Sequence, residues 1–234
     1  METLIFDCDG VLVDSEVIAE ATLVDMLRDW LPDLAPDTVL RNALGMTTGN
    51  ILRHLEQLSA HALPDDALPR IDAAIEDRLG QALQPIHGVA DVVSRLDLPL
   101  AIVSNSTRFR VRNSLRTTGL DAWLGQAPLF TAEQVPLPKP DPAVYLLAAR
   151  ELGIAPEDCL VVEDSVSGVT AASGAGMTVI GFTGASHIED GHHEHLESAG
   201  AWRTLPAMAG LPQLLAEWRR QRGDNGPAPE EQRP

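Results

Sequence analysis

Phe6-Asp7-Cys8-Asp9-Gly10-Val11-Leu12-Val13-Asp14-Ser15-Glu16 begins at the end of the apolar run Leu4-Ile5-Phe6. That run predicts a short buried strand ending where the acids start. Two carboxylates two residues apart at a strand end are costly, because like charges repel and burial disfavours the charged form. A hard divalent cation such as Mg²⁺ relieves both costs, since it takes oxygen ligands and also holds phosphate oxygens. An Asx-rich turn after a strand would use the same D-x-D-G letters. The rest of the chain decides between the two.

The chain has 234 residues, 44% of them hydrophobic and 22% charged, the make-up of one globular domain or of a core with an insert. Its formal net charge of −17 argues against nucleic acid, whose binding rests on basic groups. It argues equally against an anionic membrane surface, and no apolar stretch is long enough to span a bilayer. The N-terminus runs straight into the strand, without a basic region or signal peptide, so a cytoplasmic protein is expected. Cys8 and Cys159 fit that compartment and are expected as buried free thiols.

Of the 17 basic residues, Lys139 is the sole lysine. It lies in Leu137-Pro138-Lys139-Pro140-Asp141-Pro142, and one lysine surviving by chance in a surface turn is the plain explanation. Lysine is also a compact point charge that the wide arginine fork does not replace in a tight site.

Apolar strands alternate with amphipathic helices, the α/β pattern of a doubly wound parallel sheet. Strands are predicted at Leu98–Val103, Leu129–Thr131, Cys159–Val162, Thr178–Phe182 and Ala201–Thr204. From Ser15 to Pro85 the pattern becomes helical, with helices at Val17–Trp30, Thr38–Ala43, Gly49–Leu58 and Leu68–Leu83. The expected organisation is a core of residues 1–14 and 86–222 and a helical insert of residues 15–85. A Pro/Gly/acid-rich tail, residues 223–234, is expected to be disordered. Polar clusters follow three of the strands: Asp7/Asp9, Ser104-Asn105-Ser106 and Glu163-Asp164. Ligands bind outside the carboxyl ends of the strands in such a sheet, so the three are expected in one crevice.

D-x-D-G-x-x-x-D-S, a strand ending in Ser104, the isolated Lys139 and a strand ending in E-D-S-x-x-G resemble the haloacid dehalogenase superfamily. More narrowly, the chain is similar to the branch holding β-phosphoglucomutase and sugar-phosphate phosphatases, 6-phosphogluconate phosphatases among them. The motifs lie in family order over about Leu4 to Met177, and the helical insert matches the family's cap domain. The resemblance implies a Mg²⁺-dependent phosphatase acting on a small phosphorylated metabolite, a sugar or sugar-acid phosphate, through an aspartyl-phosphate. Asp7 would be the nucleophile and a metal ligand, and Asp9 the general acid and base, with its backbone carbonyl on the metal. Asp164 would complete the metal shell, with Glu163 either a ligand or a group acting through water. Lys139 would offset charge on Asp7 and the phosphoryl group. Dehalogenases of the superfamily lack the second acid, so Asp9 selects P–O chemistry.

Ser104 and Ser106, with backbone N–H groups near Asn105, suit phosphoryl oxygens; either serine could equally be a helix N-cap. Gly168 and the small residues after it are read as close helix–sheet packing. The insert should close over the substrate on hinges near Val13–Glu16 and Ile86–Gly88, with Glu16, Gly45, Met46, Thr47 and Thr48 setting selectivity. The mutase pattern places an arginine where this chain has Thr48; Arg41 or Arg53 could substitute for it, so the departure favours hydrolysis and leaves a β-phosphoglucomutase-type reaction as the alternative. His187, His192, His193 and His195 are read as a solvated charged loop ahead of a second metal site. A monomer is expected.

Overall fold

The computed structural model describes residues 2–35 and 48–223. The expected helix at Thr38–Ala43, the positions Gly45, Met46 and Thr47, and the tail beyond Gly223 lie outside the described residues.

Six strands form one sheet: β1 (Thr3–Phe6), β2 (Leu100–Ser104), β3 (Leu129–Thr131), β4 (Cys159–Glu163), β5 (Thr178–Phe182) and β6 (Arg203–Leu205). Their order is β3-β2-β1-β4-β5-β6 and every pairing is parallel. Strand β2 starts at Leu100 instead of Leu98, because Pro99 has no N–H to give a ladder and only its carbonyl reaches Leu4 N. The chain runs outward from β1 to β3, then returns to lay β4 on the other side of β1. That reversal opens a crevice beyond the ends of β1 and β4.

Alternation along the strands splits the core. Leu4, Phe6, Ile102, Leu160, Val162 and Ile180 face one side, and Ile5, Ala101, Val103, Val161 and Val179 the other. The second side is covered by α7 (Ala143–Leu152), α8 (Val166–Gly174) and α9 (His192–Ala199). The first is covered by α4 (Val89–Val93), α5 (Arg108–Thr117), α6 (Asp121–Leu124) and α10 (Leu211–Gly223). Among the described residues no helix is long and apolar enough to cross a membrane. Cys8 and Cys159 are buried and free. Burial pushes the Cys159 thiol up to about 11 and the Cys8 thiol up as well.

The inserted segment contributes α1 (Glu16–Trp30), α2 (Thr48–Leu58) and α3 (Ala67–Ala82). Ala67, Ile71, Ile75, Leu79 and Leu83 recur every fourth residue, so α3 and the residue after it bury one apolar stripe. It packs antiparallel to α1, with Arg70 stacked over Trp30 at one end and Arg78 bonded to Asp25 nearer the other. The connectors to the sheet pair with each other: Asp14 N donates to Gln84 O and Ile86 N to Leu12 O. Three of the positions expected as hinges, Val13, Asp14 and Ile86, fall within this short antiparallel ladder.

Candidate active site

Asp7 N donates to Val162 O at 3.0 Å, which extends the β1–β4 ladder by one residue and sets Asp7 at its end. The chain then turns sharply, with Leu12 N and Val13 N both donating to Cys8 O. Gly10 holds that turn at φ +77°, and a Cβ there would lie 1.8 Å from Asp164 Oδ2. Glycine is required twice over, for the backbone and for the carboxylate pressed against it.

Lys139 is buried in the centre of the site. Its ammonium donates to Asp7 Oδ1 at 2.7 Å, Glu163 Oε1 at 2.5 Å and Val103 O at 3.1 Å, using all three protons. Burial works against its charge, and Asp7 and Glu163 outweigh that, so its pKa is raised. Asn105 fixes the lysine's backbone from both sides: its Oδ1 accepts from Lys139 N at 3.0 Å and its Nδ2 donates to Lys139 O at 3.3 Å. The amide side chain of Asn105 thus positions the lysine, a role apart from the one expected for its backbone.

Glu163 is wholly buried. Oε1 also accepts from Tyr145 OH at 2.7 Å, and Oε2 accepts from Ser165 Oγ at 3.2 Å and Ser165 N at 3.4 Å. A Cβ on Gly168 would lie 2.0 Å from the Glu163 carboxyl carbon, so this glycine makes room for a site residue as well as for helix–sheet packing. Asp7, Glu163 and Asp164 bring carboxylate oxygens within 4.8 Å of one another. Burial raises the Asp7 carboxyl; Lys139 opposes this, and Glu163, Asp164 and Asp9 reinforce it. One ammonium does not offset four acids, and an all-oxygen donor set with surplus negative charge fits a hard divalent cation.

Asp9 is held by two hydroxyls: Ser15 Oγ donates to Oδ1 and Ser106 Oγ to Oδ2, each at 2.7 Å. Ser104 is buried and accepts from Ser106 N at 2.9 Å. The N-cap of α5 is neither serine but Thr107, which accepts from Arg110 N at 3.2 Å. These groups open on a mouth of about 650 Å³ that Glu16 of α1 also lines. Crowding by the walls, with Asp9 and Asp164 adding like charge, raises the Glu16 carboxyl to about 7, although the residue is open to solvent on one side. Thr48 starts α2.

The histidine stretch corrects part of the sequence reading: His193 and His195 are exposed as expected, but His187 and His192 are not simply solvated. It folds back onto the site, with His187 Nε2 at 3.3 Å from Asp164 Oδ2 and His192 Nε2 donating to Asp164 O at 2.7 Å. Asp14 secures the same stretch by accepting from Ser186 N at 3.2 Å. From His192 on it is helix α9, not loop. Among the described residues no histidine joins a cluster able to hold a metal. Sequence reasoning also passed over Tyr145, whose bond to Glu163 is visible only once β4 and α7 are packed, and took Ser165 as a motif letter without its bonds to Glu163.

The chain matches the family of haloacid dehalogenase-like hydrolases over residues 4–182, which span the site from Asp7 to Asp164. It is 29% identical to the 6-phosphogluconate phosphatase of Escherichia coli strain K12 over 215 residues, 92% of this chain and 94% of that protein. It is 34% identical to hexitol phosphatase A of the same strain over 179 residues, 75% of this chain and 80% of that one. A crystal structure of a conserved haloacid dehalogenase-like protein from Agrobacterium tumefaciens strain C58 superposes with a TM-score of 0.83. It is 35% identical and covers 94% of this chain and 99% of that one. The protein belongs to the haloacid dehalogenase-like hydrolases. Within that family it is a phosphoric monoester hydrolase, grouped with phosphatases of small phosphorylated metabolites.

Proposed function

We propose that this protein is a Mg²⁺-dependent phosphatase that hydrolyses a sugar or sugar-acid phosphate, 6-phosphogluconate among the candidates, through an aspartyl-phosphate on Asp7. The observation that carries the reading is the buried contact of Lys139 with Asp7 and Glu163 beside a second, hydroxyl-held acid at Asp9.

Asp7 attacks phosphorus with a carboxylate oxygen as the bond to the leaving oxygen breaks, and Asp9 gives that oxygen its proton. Asp9 then takes a proton from water, whose oxygen attacks phosphorus and releases phosphate and the Asp7 carboxylate. Lys139 keeps Asp7 oriented and opposes the negative charge that gathers there. Ser104, Asn105 and Ser106 supply hydroxyl and amide donors for phosphoryl oxygens. Asp7, the Asp9 carbonyl and Asp164 would hold the cation; both Glu163 oxygens already accept from protein donors, which favours a role behind that shell. Bound there, Mg²⁺ would neutralise phosphoryl charge.

Residues 15–85 act in this reading as a cap that pivots at the paired connectors and closes the mouth. A mutase has to grip phosphoryl groups at both ends of a bisphosphate. Among the described residues lining the mouth, Lys139 and Arg110 are the two cations besides histidine, and Asp7 and Glu76 balance their charges, which leaves no surplus positive charge for a second phosphoryl group and favours hydrolysis. A cytoplasmic monomer completes the reading.

The test is phosphate release from a panel of sugar and sugar-acid phosphates, with Mg²⁺ and with EDTA, beside Asp7→Asn. Mg²⁺-dependent release that disappears in the variant is the expected result. No release from any compound, with α/β interconversion of hexose phosphates instead, would establish the mutase.

A further inference from the structure

Beyond the reacting groups, the mouth is walled by Phe109 and Arg110 of α5, Asp72 and Glu76 of α3, and Glu16 of α1. Arg110 Nε donates to Glu76, joining the helix after the serine loop to the inserted helices. That bond ties one side of the guanidinium. Its two Nη groups have no protein partner among the described residues, and Arg110 lines the same cavity as Asp9. Burial works against the arginine's charge, and Glu76, Asp9 and Asp72 outweigh it.

A hydroxyl both donates and accepts, so vicinal hydroxyls can give hydrogen bonds to Asp72 and Glu16 while taking them from the Nη groups of Arg110. Phe109, 67% exposed, offers a ring to the C–H face of the same carbon chain. A carboxylate only accepts. It would meet Asp72, with Glu16 beside it, and an arginine whose charge Glu76 already balances, and like charges at close range repel.

We propose that Arg110, held by Glu76, reads the leaving group, and that the wall it forms with Asp72 and Phe109 selects the phosphate of an uncharged polyol over a sugar-acid phosphate. The inference rests on the phosphatase reading above and narrows its substrate class. Arg110 belongs to the core helix, so part of the selectivity lies outside the insert where it was expected.

The experiment compares D-sorbitol 6-phosphate with 6-phosphogluconate, which share a carbon chain and differ at the end remote from the phosphate, a CH₂OH against a carboxylate. p-Nitrophenyl phosphate is run beside them on the wild type. The wild type should favour the polyol in kcat/KM. Arg110→Gln should lower kcat/KM for the polyol about tenfold or more. Asp72→Asn should shift the ratio toward the sugar acid about threefold. A merely structural role would slow both substrates alike and leave the ratio unmoved. A wild type that prefers 6-phosphogluconate, or a ratio that neither substitution moves, overturns the inference while p-nitrophenyl phosphate turnover leaves the phosphatase intact. Loss of turnover on all three compounds removes the phosphatase reading, and this inference with it.

Discussion

Gly10 faces Asp164 so closely that the Cβ it lacks would lie 1.8 Å from the carboxylate oxygen Oδ2. Gly10→Ala therefore displaces Asp164 and also strains a backbone held at φ +77°. Misplacing a positioned group by an ångström costs on the order of 100-fold in rate. Left-handed strain of about 1–3 kcal/mol, at roughly 2–4 °C per kcal/mol for a chain of this size, lowers Tm by several degrees. Calorimetry and p-nitrophenyl phosphate turnover check both, and an active, fully stable Gly10→Ala would refute the packing argument.

Asp9→Asn keeps the shape that Ser15 and Ser106 hold but removes the proton that the proposed mechanism gives to the leaving oxygen. Turnover of alkyl phosphates should fall about 10²–10⁴-fold, with Tm little changed. p-Nitrophenolate leaves without protonation, so with that substrate the first step survives and the second slows. Rapid mixing should then show a burst of p-nitrophenol. Equal losses on both substrates, without a burst, would remove Asp9 from the acid role.

Lys139→Met leaves Asp7 and Glu163 as buried acids without a counter-charge. Removing one partner of such a group costs about 3–5 kcal/mol, so Tm should drop by roughly 6–20 °C. Asp7, already raised by burial, loses the ammonium that opposes that rise and holds its proton more tightly still when folded than when unfolded. The deficit should therefore shrink as pH is lowered, which Tm measured in EDTA at about pH 5 and about pH 8 tests. Lys139→Arg should restore little, since a planar fork does not fit a pocket for three tetrahedral donors.

Glu16 has its carboxyl raised from 4.5 to about 7. The folded state thus binds this proton more tightly than the unfolded chain. The stabilisation is complete below about 4.5 and is lost as pH rises through 7. In EDTA, Glu16→Gln should flatten the fall in Tm between about pH 5 and about pH 8 relative to wild type. The effect is small, because solvent reaches one side of the group. Superimposable Tm–pH curves would contradict it.

The strand-end clusters were legible because a parallel sheet brings strand ends together whatever lies between them. Lys139 stood out as the single lysine among arginines, though its isolation alone left a chance surface turn open and the motifs around it in family order made it a site residue. His187 and His192 were not, since their stretch is polar and charged and only the return of the chain after β5 brings them to Asp164. Tyr145 sits on the apolar face of α7, where periodicity reports burial but not that its hydroxyl reaches Glu163. Asn105 was read for its amide backbone, and its side chain grips a residue 34 positions away. Arg110 was one arginine among many until α3 and α5 were seen to meet.

The ladder between Leu12–Asp14 and Gln84–Ile86 has a consequence for engineering. The chain leaves and rejoins the sheet through two strands about one ladder spacing apart, about 4.8 Å. A tight turn between them would close the chain with no tension on β1 or β2. The sheet is therefore indifferent to what is spliced in at this stem. Any replacement module would start and end at the same paired connectors, so under the proposed cap reading grafting inserts here would exchange the lid without rebuilding the floor.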